Sequence, residues 1–258
     1  MNIELKLQFL KRVLTDTLND NSFDSFFVNG YPTDDEINNL LQLPISPSRL
    51  DGEDCPQRAH TMIGLKRLDN LHMMLNYIRE NNIKGDLIET GVWRGGAVIF
   101  MKAYIKFYKM DIKVFVCDSF EGLPRPDVDK YPDDHGDLHY TYDNLKVSIE
   151  EVKSNFEKYN LLDDKVIFLK GWFSDTLKDN EQIGDISILR FDGDMYGSTM
   201  DVLDNLYDKV VDNGVIIIDD YCLPNCKKAI TDFRTSHNLS GELDIVDRCG
   251  VFWYKNKI

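Results

Sequence analysis

The sequence predicts an α/β fold: a mostly parallel sheet with helices on both faces, closed by a C-terminal antiparallel hairpin. Three observations carry this. Short apolar runs (DLIET, KVFVCD, KVIFLKG, ISILRFD, GVIIIDD) alternate with helix-spaced segments, the pattern of strands covered on both faces. Two later runs, ELDIVDR and GVFWYKN, are separated only by a turn at Cys249 and Gly250, which reads as a hairpin. Acidic residues (Glu89, Asp118, Asp192, and the pair Asp219/Asp220) sit at the C-terminal ends of successive predicted strands, where an open α/β sheet forms its ligand crevice.

Taken in order, the N-terminus spaces Leu5, Phe9, Leu10, Val13 and Leu14 along one helical face with charged residues between them, an amphipathic helix and not a signal peptide. Residues 20–60 are rich in Pro, Gly, Asn and Asp and read as extended, looped structure with one short helix, a cap over the core. From Thr61 to about Asn81, Ile63, Leu65, Leu68, Leu71, Leu75 and Ile78 recur at helical spacing. Then follow strand DLIET, a helix from Gly95, strand KVFVCD, a long loop, and a helix over Asn144 to Tyr159. Strand KVIFLKG, a short helix, strand ISILRFD, a helix over Thr199 to Lys209, strand GVIIIDD and a helix over Asn225 to Thr235 complete the crossovers. A parallel sheet ending in an antiparallel strand is the pattern associated with S-adenosylmethionine-dependent methyltransferases. The organisation expected is a helix and cap over residues 1–60 and a core over 61–258, with a lid loop at about 121–142.

Composition narrows the function. Thirty Lys and Arg against 44 Asp and Glu give a formal charge of −14, with no basic stripe, so nucleic acid is not an expected partner. No apolar run approaches the roughly 18–20 residues of a membrane span. Five scattered cysteines, Cys55, Cys117, Cys222, Cys226 and Cys249, suggest reduced thiols in a cytoplasmic protein. The N-terminal helix is free to pack on its own core or on a partner subunit, which leaves a homo-oligomer open.

The chemistry concentrates at the strand ends. DLIETGVWRGGAV is a strand, a turn with Gly91, Gly95 and Gly96, and a helix start whose free N–H groups suit a ligand. It lacks the GxGxxG dinucleotide fingerprint. Asp118 would accept hydrogen bonds from two ribose hydroxyls or cap a helix. Trp172 and Phe173, beside Gly171, would flank an adenine ring or simply pack in the core. Asp192, Asp219 and Asp220 converge from adjacent strand ends and would repel one another unless a cation or shared protons offset them; oxygen donors favour a hard ion such as magnesium. His135 and His139 lie in YPDDHGDLHY, where Pro132 and Gly136 argue for a lid loop and against a zinc site.

The segments AHTMIGLKRLDNL, ETGVWRGG, CDSFEGLP, LLDDKVIFLKGWF, LRFDGDMYGST and GVIIIDDY, in that order, resemble the macrocin O-methyltransferase family, sugar O-methyltransferases of macrolide and aminocoumarin antibiotics. The likeness runs from about residue 50 to the C-terminus and is weaker over residues 20–50 and the lid. It implies a class I methyltransferase fold, S-adenosyl-L-methionine and Mg2+. It places Thr61, Met62 and Ile63 over the methionine part of the cofactor, Glu89, Gly91 and Gly95 in the first cofactor motif, Asp118 and Ser119 at the ribose, and Trp172 and Phe173 by the adenine. Asp192, Asp219 and Asp220 take the metal positions, with Asp192 also the general base. The expected reaction is methyl transfer to a hydroxyl of a sugar-containing small molecule or glycan. Two alternatives remain: a metal-dependent glycosyltransferase built on the DGD at 192–194, and a non-catalytic protein that keeps the fold.

Overall fold

The computed structural model describes residues 2–18 and 30–256. The expected looped stretch at 20–29 lies outside them. Helices α1 (Ile3–Leu14), α2 (Asp34–Leu41) and α3 (Pro47–Asp51) precede α4 (Leu65–Glu80). The core then runs β1 (Asp86–Thr90), α5 (Gly96–Phe107), β2 (Val114–Asp118), α6 (Ile149–Lys158), β3 (Val166–Lys170), α7 (Phe173–Thr176) and β4 (Ile186–Phe191). It continues through α8 (Tyr196–Leu206), β5 (Val210–Ile218), α9 (Pro224–Ser236), β6 (Asp244–Ile245) and β7 (Val251–Tyr254).

The seven strands lie in the order β3-β2-β1-β4-β5-β7-β6. Strands β1 to β5 pair in parallel, and β7 pairs antiparallel to both β5 and β6. The expected hairpin is present, but β6 is only two residues long and the turn is wider than two residues: Val246 N–H donates to Gly250 O at 2.9 Å. Asp247 occupies that turn and accepts from the backbone N–H groups of Cys249 and Gly250.

Because successive strand residues face opposite sides, each strand feeds two apolar layers. Leu87, Val116, Ile188 and Ile217 pack with α1, α4, α5 and α6, while Ile88, Phe115, Leu189 and Ile216 pack with α8 and α9. Helix α1 lies against α2, α4 and α5, and its Leu7, Phe9, Leu10 and Leu14 are fully buried in the first layer. Two of its charged residues are buried as well, each with partners. Lys11 pairs with Asp69, and Arg12 donates to Thr17 Oγ1 at 2.6 Å and to the Leu41 and Leu43 carbonyls. A burial this complete requires such pairing, since an unpartnered buried charge is costly.

Among its described residues, the looped region before α4 holds two short helices where one was expected. Thr33 and Glu36 form a reciprocal capping box on α2, and Ser46 with Pro47 starts α3. The expectation of uniformly reduced thiols is corrected: Cys222 and Cys249 are joined, with Cα atoms 4.4 Å apart, because the β6–β7 turn folds back over the β5–α9 connection. Cys55, Cys117 and Cys226 are free. Among the described residues no helix is long and apolar enough to cross a membrane.

Candidate active site

The parallel strands all end on one side, and the loops leaving them wall a cavity of about 250 Å³. Its lining includes Met62, Gly91, Trp93, Asp118, Trp172 and Phe173, the Asp192–Met195 loop, and residues between Gly122 and Asp134 of the β2–α6 connection.

Asp118 ends β2. Its Oδ2 accepts from Val92 N–H at 2.8 Å, and its Oδ1 accepts from Phe120 N–H at 2.7 Å and from the Ser119 hydroxyl at 3.4 Å, which orients the carboxylate. Burial raises its pKa, and these N–H donors oppose the rise. Gly91 and Gly95 both have positive φ, at +81° and +86°. A Cβ on Gly91 would meet the backbone of Asp192, so the close approach this glycine permits is to the neighbouring loop. Gly95 caps α5.

The segment before α4 folds over the start of α5. Gly96 N–H donates to His60 O at 2.8 Å, and Arg49 donates to the carbonyls of Met62 and Ile63. His60 is buried, and its Nδ1 lies 2.7 Å from the Tyr159 hydroxyl. Of the three expected residues here, Met62 lines the cavity; Thr61 and Ile63 are buried beneath the segment, where Thr61 Oγ1 accepts from Ile63 N–H at 3.3 Å. Glu89 is likewise buried off the cavity, paired with Arg190. Its Oε2 has no hydrogen-bond partner, and burial pushes its carboxyl up to about 7 against the pull of Arg190.

The acidic loops gather a trio that shares Asp192 and Asp220 with the expected metal set. One oxygen each from Asp192, Asp194 and Asp220 lies within 4.8 Å of the others. Asp219 adjoins Asp192 as well, but its two oxygens are held by Arg67 of α4 and Arg190 of β4, the latter at 2.6 Å. A φ of +57° at Asp194, just after Gly193, brings the Asp194 carboxylate to Asp192 and Asp220. Asp194 N–H donates to Asp220 Oδ2 at 3.0 Å. The DGD spelling was noticed in the sequence, but nothing in it showed that Asp194 would join Asp192 and Asp220. Arg67 and Arg190 had no sequence signal at all; the first lies on a helix surface pattern and the second reads as an ordinary strand residue.

The electrostatics follow from this arrangement. Arg190, 2% exposed, also meets Asp192 at 3.3 Å, and Arg67 pairs with Asp247 at 3.0 Å. Two guanidiniums thus face six carboxylates: Glu89, Asp192, Asp194, Asp219, Asp220 and Asp247. Burial would raise Asp219, but the two arginines outweigh it and hold its carboxyl below the usual range. Burial and mutual repulsion raise Asp192 and Asp220 far above that range and Asp194 to about 8. A half-buried all-oxygen trio with surplus negative charge fits a hard divalent cation.

Residues 4–255 match the macrocin O-methyltransferase (TylF) family. The chain belongs to that family. The match includes residues 20–50 and the β2–α6 connection, where the sequence motifs were weakest. This macrocin O-methyltransferase family member is 41% identical over 253 residues to the 8-demethyl-8-(2,3-dimethoxy-alpha-L-rhamnosyl)-tetracenomycin-C 4'-O-methyltransferase of Streptomyces olivaceus, covering 97% of this chain and 92% of that one. It is 40% identical over 258 residues to the mycinamicin III 3''-O-methyltransferase of Micromonospora griseorubida, covering 98% and 97%. The solved structure of the O-methyltransferase NovP superposes with a TM-score of 0.85 at 39% identity, over 99% of this chain and 100% of that one. The fold is therefore the class I methyltransferase fold that the strand pattern implied, and the glycosyltransferase reading of the DGD loses its basis.

Proposed function

We propose that this protein is a metal-dependent O-methyltransferase that moves the methyl group of S-adenosyl-L-methionine to a hydroxyl of a sugar-containing small molecule. The observation that carries the reading is the cavity itself, which is lined by an oriented Asp118 and by Asp192 and Asp194 of the trio they form with Asp220. The relatives' names, which specify methylation on rhamnosyl tetracenomycin and on mycinamicin, support the acceptor class.

When bound, the sulfonium cofactor supplies an activated methyl group and a divalent cation lowers the pKa of a coordinated hydroxyl. The residues do the rest. Asp118, with Ser119 beside it, receives the ribose; Trp172, Phe173 and Trp93 enclose the adenine side; Met62 lies over the remainder. Asp192, Asp194 and Asp220 would hold the cation, and Asp219 could join them only if an arginine released it. Asp192 and Asp194 line the cavity, so the acceptor proton passes to one of the two. The resemblance assigns that role to Asp192; Asp194, the other carboxylate of the trio that lines the cavity, is the competing base. Positioning accounts for much of the acceleration, since the donor is already activated.

The test is transfer of labelled methyl from S-adenosyl-L-methionine to glycosides with vicinal hydroxyls, by wild type and Asp192→Ala, with and without EDTA. Transfer undiminished by EDTA removes the cation from the mechanism, and S-adenosylhomocysteine binding without transfer to any glycoside removes the acceptor class.

A further inference from the structure

The β2–α6 connection carries a carboxylate more deeply buried than the acidic trio. Asp134, at the end of the short turn Pro132–Asp134, is 1% exposed. Its Oδ1 accepts from the backbone N–H of Tyr196 at 2.7 Å, and its Oδ2 from that of Gly197 at 2.8 Å. Asn225, at the start of α9, donates to Oδ1 at 3.3 Å. The first two donors are the opening residues of α8, a helix whose own cap position, Met195, offers no side-chain acceptor. Asp134 therefore does from 62 residues away what a capping Asp or Ser does locally.

The same contact surface is tightly fitted. A Cβ on Gly197 would lie 2.5 Å from the Tyr131 ring, and the Tyr131 hydroxyl donates to Asp201 at 2.9 Å. Helix α8 begins immediately after Asp194 and Met195, and Asp134 itself lines the cavity. The β2–α6 connection and the loop bearing two of the three clustered acids thus share one junction.

We propose that Asp134 is a positioning residue for acceptor binding: by capping α8 from the β2–α6 connection, it couples closure of that connection to the placement of the Asp192–Asp194 loop. The physical reason is that the first N–H groups of a helix have no partner within it. Covering them with a closing loop strands them unless the loop brings an acceptor, and a carboxylate at the positive end of the helix dipole is a strong one. The proposal rests on the reading of the cavity as an acceptor site.

The experiment compares wild type, Asp134→Ala, Asp134→Asn and, as control, Asp133→Ala, whose side chain is exposed and lies 3.6 Å from Lys228. Three quantities are read on the full chain: amide exchange at Tyr196, Gly197 and residues 125–142; the Kd of S-adenosylhomocysteine; and steady-state kinetics with a glycoside that wild type methylates. For Asp134→Ala, exchange at both amides and along the connection should rise roughly tenfold, as for a lost helix cap, and acceptor KM should rise by a similar factor. Saturating acceptor drives closure, so kcat should be recovered, and the S-adenosylhomocysteine Kd should stay within about threefold. Asp134→Asn, which keeps one acceptor oxygen, should fall between, and Asp133→Ala should match wild type. Unchanged exchange, a fall in kcat at constant KM, or a parallel loss of S-adenosylhomocysteine affinity would each overturn the proposal. Wild type failing on every glycoside would strike the acceptor reading alone, and the exchange data would still decide the capping.

Discussion

A Cβ placed on Gly91 would lie 1.7 Å from the carbonyl oxygen of Asp192, so the turn after β1 and the loop after β4 touch backbone to backbone. Asp192 N–H donates to Thr90 O at 2.9 Å beside this contact. The cofactor turn and the acidic loop are consequently one rigid unit.

Gly91→Ala should therefore destabilise by about 4 kcal/mol or more, because neither backbone can give way and φ is also unfavourable. Gly136→Ala isolates the conformational part: its φ is +86° with nothing within 4 Å of an added Cβ, and its cost should be only about 1 kcal/mol. Urea unfolding of the two variants makes the comparison. Equal losses would show that the Gly91–Asp192 contact does not constrain the site.

Asp118→Asn should weaken S-adenosylhomocysteine binding at least about tenfold, the loss of one charge-assisted hydrogen bond to a ribose hydroxyl. Its thermal midpoint should fall modestly as well, since the single amide oxygen can accept from Val92 or from Phe120 but not from both, and the other N–H then faces an NH2 donor. Calorimetric titration reads the affinity. Wild-type affinity in the variant would return Asp118 to a purely structural role in its turn.

Magnesium should raise the thermal midpoint of the wild type, and Asp220→Asn and Asp194→Asn should each abolish most of that rise. Asp219→Asn should keep the Mg2+ response while lowering basal stability, because Arg67 and Arg190 would lose a shared partner; breaking a buried pair costs roughly 3–5 kcal/mol. The opposite pattern, with Asp219 required and Asp194 dispensable, would restore the ligand set that the family resemblance implies.

His60 supplies a pH dependence away from the acids. Burial lowers its pKa to about 4, and the charges of Lys158 and Arg94 add to the effect. In the unfolded chain it titrates near 6.5, so between the two values the unfolded state binds the extra proton and stability falls as pH falls. The window runs from about pH 6.5 down to about 4, and the loss is roughly 3 kcal/mol for the 2.5-unit difference. His60→Gln removes the titration while keeping an acceptor for Tyr159. Its unfolding free energy should decline less steeply than wild type from pH 7 to 4.5, and parallel curves would assign the acid sensitivity to other groups.

Much of the fold was legible because its signals are local. The runs DLIET and KVFVCD became β1 and β2 nearly residue for residue, and the apolar spacing over residues 63–78 became α4 and its lead-in. Strand-end acids were legible for the same reason, since alternation of strand and helix already states where a strand must stop. The wide β6–β7 turn was misjudged because Asp247, and not a tight two-residue turn, organises it through hydrogen bonds to Cys249 and Gly250.

By itself, the sequence determined the sheet, its antiparallel finish, the family, and the strand ends at which the chemistry gathers. Only the tertiary structure decided how the acids divide. Asp219 and Asp220 are neighbours in the chain and both adjoin Asp192, but only Asp219 meets the two arginines from α4 and β4, and Asp220 meets Asp194. The same holds for Asp134 against α8 and for Cys222 against Cys249. A residue's place on a strand or helix follows from periodicity within a few neighbours. Its partner across the fold depends on how separate elements pack, and no local pattern encodes that.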